Sequence, residues 1–261
     1  MTYQHKQLHY EVIGEGPAIL LVHGFGEDSS IWRHQREAFP GFKLILPDLP
    51  GSGSSEMIED MSMEGLSASL IAILDQEKIQ ECILIGHSMG GYVALAFAEK
   101  FQNRLKGLGL FHSTAFADSE TKKETRLKGI EFIKEHGAFA FLRTSTPNLF
   151  SPLSKEAHKE LIEDQVQRSA FFTDAALIRY YESMIRRPDR SNLLKTITLP
   201  VLFVMGRFDT AVPLQDSLLQ CYLPTQSFAH ILEESGHMGM LEQTKETNLF
   251  LRNYIYYIHK S

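Results

Sequence analysis

Cys82-Ile83-Leu84-Ile85-Gly86-His87-Ser88-Met89-Gly90-Gly91-Tyr92-Val93-Ala94 joins an apolar run of strand character directly to a run rich in Ala and Leu that has helical character. Within it lies Gly-x-Ser-x-Gly. A strand passing straight into a helix at that spacing makes so sharp a turn that Ser88 is forced into a strained backbone conformation and its Oγ is lifted clear of the sheet. Gly86 and Gly90 suit the turn because side chains there would collide across it. The helix that follows offers free N–H groups and the positive end of its dipole beside the serine.

Outward from this turn, short apolar runs alternate with stretches of helical period. Strands are expected at residues 18–23, 43–47, 82–86, 105–111, 200–205 and 228–233, with an alternating edge strand at 7–13. Helices are expected at 30–39, 63–76, 89–101, 213–222 and 241–258. That alternation predicts an α/β fold around a mainly parallel sheet. The length, 261 residues, admits one large domain with an insertion and can bury a sizeable core unaided by disulfides or metals. The net charge of -6 gives no basic patch for a nucleic acid. The polar first ten residues are not a signal peptide, and no apolar run approaches the ~18 residues of a membrane span. Cys82 and Cys221 make neither a disulfide framework nor a zinc site, so both are expected to be reduced and buried in a cytoplasmic protein.

The alternation breaks between residues 114 and 195. This block shows no strand pattern; it carries a net charge of +2, against -8 for the rest of the chain. Residues 121–136 place Leu127, Ile130 and Ile133 on one stripe, and Thr173 is positioned to cap a helix over 174–187. The expected organisation is therefore a core of residues 1–113 and 196–261, interrupted by a helical cap or lid at 114–195. The cap is rich in large apolar side chains, among them Phe116, Phe132, Phe139, Phe141, Leu142, Phe150, Phe171, Phe172, Tyr180, Tyr181 and Met184. A minority of these are expected to line an apolar pocket.

Four further motifs accompany the Ser88 turn, in a fixed order: His23-Gly24-Phe25-Gly26 after an early strand, Asp48-Leu49-Pro50-Gly51-Ser52-Gly53-Ser54-Ser55, Leu199-Pro200-Val201-Leu202 leading to Gly206-Arg207-Phe208-Asp209, and Ser235-Gly236-His237 with Glu242 five residues on. Together they resemble the α/β-hydrolase superfamily over nearly the whole chain. The resemblance implies a sheet flanked by helices, a cap inserted before the strand that carries the acid, and no metal or organic cofactor.

A serine hydroxyl becomes a competent nucleophile only when a base takes its proton, and the imidazole that does so needs an orienting acceptor. Ser88, Asp209 and His237 follow the family's order, 121 and 28 residues apart. The oxyanion donors implied are the backbone N–H groups of Phe25 and Met89. His23 is expected to structure its loop, His87 to point away from the nucleophile and pack or hydrogen-bond locally, and the Asp48 turn to hold a loop near the site. Serine in place of aspartate at the elbow argues against an alkyl-enzyme route. Cleavage of a small apolar or amphipathic carboxylic ester is the expected chemistry. Carbon–carbon bond hydrolysis, a lyase reaction and perhydrolysis use the same triad, and a ligand sensor without turnover is the reading from another functional class.

Overall fold

The computed structural model describes residues 1–260; Ser261, the expected end of the second core segment, lies outside them. The strands are β1 (Thr2–Tyr3), β2 (Lys6–Gln7), β3 (Tyr10–Ile13), β4 (Ala18–Val22), β5 (Lys43–Pro47), β6 (Cys82–His87), β7 (Leu105–Phe111), β8 (Val201–Gly206) and β9 (Ser227–Leu232). β1 and β2 form a separate antiparallel pair; the other seven make one sheet in the order β3-β5-β4-β6-β7-β8-β9. Only β3 runs against its neighbour; the remaining pairs are parallel. The edge strand expected at 7–13 is thus divided. Gln7 pairs back on Thr2 around a turn with Gln4 and His5 at positive φ, and only residues 10–13 reach the main sheet.

The helices are α1 (Met63–Gln76), α2 (Met89–Phe101), α3 (Glu120–His136), α4 (Ala138–Ser145), α5 (Pro152–Ala157), α6 (Lys159–Arg168), α7 (Asp174–Arg186), α8 (Ser191–Thr196), α9 (Leu214–Leu218), α10 (Gly239–Glu242) and α11 (Thr244–Lys260). Among the described residues none is long and apolar enough to cross a membrane. The central strands are apolar on both faces because both are covered. Leu20, Leu84 and Phe203 pack in one layer with Leu66 and Leu70 of α1 and Val93 and Phe97 of α2. Ile19, Ile83 and Leu202, one residue out of phase, pack in the other with Trp32 and with Leu251, Tyr254 and Ile255 of α11.

Three expected helices come out shorter or divided. Residues 30–39 contain only a 3₁₀ turn, Ser29–Trp32, because the amides of Ile31, Arg33, Gln35 and Ala38 bond three residues back. The helix expected at 213–222 stops at Leu218, where the Gln220 amide also tightens to a three-residue bond. The last helix is divided at Gln243, whose φ of -130° and ψ of 61° leave the helical region between α10 and α11.

Between β7 and β8 the described chain forms α3–α8 and no strand. Thr173 caps α7 as expected, its side chain accepting from the Ala176 amide. Leu127 departs from the expected stripe. It is 52 % exposed while Ile130 and Ile133 are buried, since α3 approaches α7 at Gly129, where a β-carbon would stand 2.7 Å from the Tyr181 ring. Cys221 also corrects an expectation. Unlike buried Cys82, it lies half-buried just past α9, its thiol donating to the Leu218 carbonyl at 3.5 Å. Both thiols are free, and burial pushes that of Cys82 up to about 12.

The turn between β6 and α2 is as tight as the spacing predicts. A β-carbon on Gly86 would lie 2.2 Å from the Gly90 carbonyl oxygen, and one on Gly90 would lie 2.5 Å from the carbonyl oxygens of Val22 and His23. These neighbours are backbone and cannot rotate away. Gly90→Ala should therefore lift α2 from the end of β4 and destabilise the fold by about 1–3 kcal/mol, read as a lower urea midpoint at unchanged slope. A midpoint equal to that of the unsubstituted protein would show that this approach is not tight.

Candidate active site

Ser88 sits at the carboxyl end of β6 with φ 50° and ψ -115°, a conformation that few residues other than glycine adopt. Hydrogen bonds to its main-chain atoms hold it there. Its amide donates to the Phe111 carbonyl at 2.9 Å, and its own carbonyl accepts from the Ser113 hydroxyl at 2.7 Å and the Gly91 amide at 3.0 Å. Among the described residues its Oγ makes no hydrogen bond, and neither do the amides of Phe25 and Met89. A β-carbon at Gly24 would lie 3.1 Å from Ser88 Cβ, so the loop carrying Phe25 rests directly on the serine.

Asp209 follows β8 and His237 follows β9, at the same end of the sheet as Ser88. His237 Nδ1 donates to Asp209 Oδ2 at 2.8 Å. The other carboxylate oxygen accepts from the amides of Ala211 and Val212 at 2.9 and 2.8 Å. No hydrogen bond joins Ser88 Oγ to His237 among the described residues. Their loops meet instead through His87, whose ring centroid is 4.9 Å from that of His237. A serine–imidazole bond is often long or poorly aligned before substrate arrives.

Two residues absent from the sequence reading join this group. His112, at the end of β7, donates from Nδ1 to the same Asp209 Oδ2 at 3.0 Å. Its Nε2 is buried without a partner among the described residues. Burial holds its pKa below the ordinary value, which keeps the ring neutral with its proton on Nδ1. Burial alone would raise the Asp209 pKa, but the two histidines hold the carboxyl well below the usual carboxylate range. A histidine at the carboxyl end of a predicted strand was the available signal for His112; it shares that position with Asp209 and His237. Glu27 is the second, an acid in a loop with nothing around it in sequence to mark it. His112, Asp209 and His237 are also the described residues that could group around a metal, one ligand atom from each lying within 4.8 Å of the others; the hydrogen bonds from both Nδ1 atoms to Asp209 Oδ2 already engage those three atoms.

The supporting loops take their expected places. His23 donates from Nδ1 to the Gly24 carbonyl at 2.8 Å and accepts at Nε2 from the Leu49 amide at 2.9 Å, so it braces its loop. Asp48 accepts from the Ser29 and Ser54 amides, each at 2.9 Å, and from His9 at 3.0 Å. Glu242 ties down the histidine loop. One oxygen accepts from the Gly236 and Met238 amides at 2.9 and 3.1 Å, and the other from Ser151 at 2.7 Å. The helical block between β7 and β8 touches the loops that carry Phe25, His237 and Asp209. Tyr181 stacks on Phe25 at 4.3 Å, the Leu149 carbonyl accepts the His237 amide at 2.7 Å, and Lys122 donates to the Ala211 carbonyl at 2.8 Å. Of the expected pocket aromatics, Phe141 and Tyr181 surround Phe25, whereas Phe171 is 89 % exposed, beside Phe172 at a surface hollow near Asp28 and Gly51.

A model of the alpha/beta hydrolase family matches residues 19–248. A thermophilic esterase from Thermogutta terrifontis is similar in structure, with a TM-score of 0.92 and 31 % identity over 97 % of this chain and 94 % of that one. In sequence, the chain is 28 % identical over 267 residues to a 2-hydroxy-6-oxononadienedioate/2-hydroxy-6-oxononatrienedioate hydrolase of Paraburkholderia phymatum, covering 95 % of this chain and 91 % of that protein. It is 25 % identical over 266 residues to the 2-hydroxy-6-oxo-6-phenylhexa-2,4-dienoate hydrolase of Comamonas testosteroni, covering 92 % and 88 %.

Proposed function

Since this chain belongs to the alpha/beta hydrolase family, we propose that it is a cytoplasmic serine hydrolase that cleaves a small apolar or amphipathic carboxylic ester through an acyl-enzyme on Ser88, with Asp209 and His237 completing the triad. The observation that carries this reading is Ser88 held at φ 50° on its turn, with the Asp209–His237 pair at 2.8 Å on the adjoining loops. His237 Nε2 takes the Ser88 proton as Oγ attacks the acyl carbon. The developing oxyanion is received by the N–H groups of Phe25 and Met89, each of which contributes about 3 kcal/mol to the transition state. His237, held in its Nδ1–H form by Asp209, then passes the proton to the leaving alcohol, and water repeats the sequence to free the acid. No metal or organic cofactor enters. Residues 114–195 act as the cap over the site, placing Phe141 and Tyr181 beside Phe25.

A second reading, hydrolysis of a carbon–carbon bond in a dienone acid, is favoured by the curated relatives and by one local observation. Arg126 and Arg187 both pair with Asp118, at 2.6 and 3.0 Å, and Arg187 lies 3.8 Å over the ring of Tyr92, one helical turn past Ser88. Burial would raise the Tyr92 pKa, yet Arg187, Lys122 and Arg126 hold it below its ordinary value. Such a surplus of positive charge suits a substrate that carries a carboxylate.

Parallel assays on short-chain nitrophenyl esters, lactones and dienone acids, each with Ser88→Ala as control, separate the two. Turnover of esters exceeding that of dienone acids by at least about tenfold in kcat/KM supports the first reading. The opposite ranking establishes the second, and ligand binding without turnover on any substrate defeats both.

A further inference from the structure

His87 precedes the nucleophile and is fully buried, and its two ring nitrogens meet only acceptors. Nδ1 lies 2.8 Å from Oε2 of buried Glu27, and Nε2 lies 3.0 Å from the main-chain carbonyl of His237. A neutral imidazole has one N–H to donate; this environment takes two. The same Glu27 oxygen accepts the Gly24 amide at 2.7 Å. One carboxylate oxygen and one ring therefore bridge three segments that the chain brings from far apart: the loop of Phe25, the turn of Ser88 and the loop of His237.

We propose that Glu27 and a protonated His87 are a buried positioning pair, which sets the distance between the oxyanion donors, the nucleophile and the general base. The pair rests on the serine-hydrolase reading above and adds to it two residues that touch no substrate. Gly24 and His87 are the residues immediately before Phe25 and Ser88, so the carboxylate acts one residue away from both the oxyanion loop and the nucleophile. Through the His237 carbonyl, the ring also fixes the main chain from which the base projects.

The surroundings of the ring favour its charge. Burial disfavours the charged ring, but Glu27 beside it, the His237 carbonyl and Asp209 beyond together raise its pKa above the ordinary histidine value. Burial likewise disfavours ionised Glu27, and His87 and the Gly24 amide bring its pKa below the ordinary value. The rings of His237 and His112, from the histidine loop and the end of β7, lie 4.9 and 6.1 Å away. Trp32 and Phe111 close the remaining sides at 6.4 and 6.0 Å.

The test compares the wild-type protein with Glu27→Gln. The glutamine keeps the size of the side chain and an acceptor for Gly24 but removes the charge. Nitrogen-15 NMR of the histidine side chains should show His87 carrying two N–H protons at pH 8 in the wild type and one in Glu27→Gln. The variant should lose about 10²-fold in kcat on a nitrophenyl ester, as misplacing reacting groups by about 1 Å does, while KM stays within threefold. His87 with a single N–H in the wild type overturns the proposal, as does a variant whose kcat stays within threefold. If Glu27→Gln does not fold, the wild-type spectrum decides alone. Labelling of wild-type Ser88 by a fluorophosphonate is the control for the underlying reading. Absence of both labelling and turnover refutes the serine hydrolase, whereas normal labelling with a neutral His87 refutes only the pair.

Discussion

Ser88→Ala is expected to fold as the wild type does and to lose about 10⁶-fold in kcat on any ester that the protein hydrolyses. The removed hydroxyl makes no hydrogen bond among the described residues, so its loss strands no buried partner. The bonds that hold the turn, from the Ser88 amide to the Phe111 carbonyl and from the Ser113 hydroxyl to the Ser88 carbonyl, use only main-chain atoms of residue 88, so alanine keeps them. Both residues carry a β-carbon and so bear the positive φ of 50° at similar cost. Stability should therefore remain within about 0.5 kcal/mol, as for a substitution that creates neither a cavity nor an orphaned group. Steady-state kinetics beside urea denaturation test both halves. Undiminished hydrolysis by the variant would remove Ser88 as nucleophile and the acyl-enzyme with it.

Asp209→Asn should lower kcat by about 10⁴-fold, through the wrong histidine tautomer rather than loss of fold. Oδ1 of Asp209 accepts two amides, from Ala211 and Val212. An asparagine must turn its carbonyl oxygen to them, which places its NH₂ group where Oδ2 now accepts from Nδ1 of both His237 and His112. Donor then faces donor, and relief requires the proton of His237 to move to Nε2, where it blocks the abstraction from Ser88. The variant also removes a carboxyl whose folded pKa lies below its unfolded one. That contribution to stability is whole above the ordinary carboxylate range and drains away as pH falls through the depressed folded value. The stability gap between wild type and variant should thus be widest near neutrality and close in acid. An Asp209→Asn enzyme that stays within tenfold of wild-type kcat would mean that another group orients His237.

Much of this site could be located from local chemistry. The glycines at 86 and 90, the apolar run before Ser88 and the helix after it describe a turn by steric necessity, and the structure contains that turn with Ser88 at positive φ. Asp209 and His237 were legible because each stands just past an apolar run in the appropriate order, and strand ends in a parallel sheet gather at one edge. Residues 30–39 were misread because Ile31, Trp32, Ala38 and Phe39 look like a helical stripe, although short three-residue bonds serve them better once Trp32 fills the space under Phe111. Leu127 was misread for a related reason: periodicity marks a face, but the partner helix decides how much of that face is covered.

Periodicity and turn chemistry act between residues a few positions apart, so the chain alone prescribed the alternating elements, the strained serine and the order in which Ser88, Asp209 and His237 follow their strands. The Glu27–His87 bridge, the second histidine on Asp209 and the Leu149 carbonyl on the His237 amide span 60, 97 and 88 residues of chain. No local preference encodes such contacts. They exist because the β4–β6–β7–β8–β9 stack brings the loops after its strands to one edge, in a buried space where each polar group must find a partner or be stranded. Tertiary structure therefore decided which residues without a sequence motif, Glu27 and His112 above all, stand against His87 and Asp209.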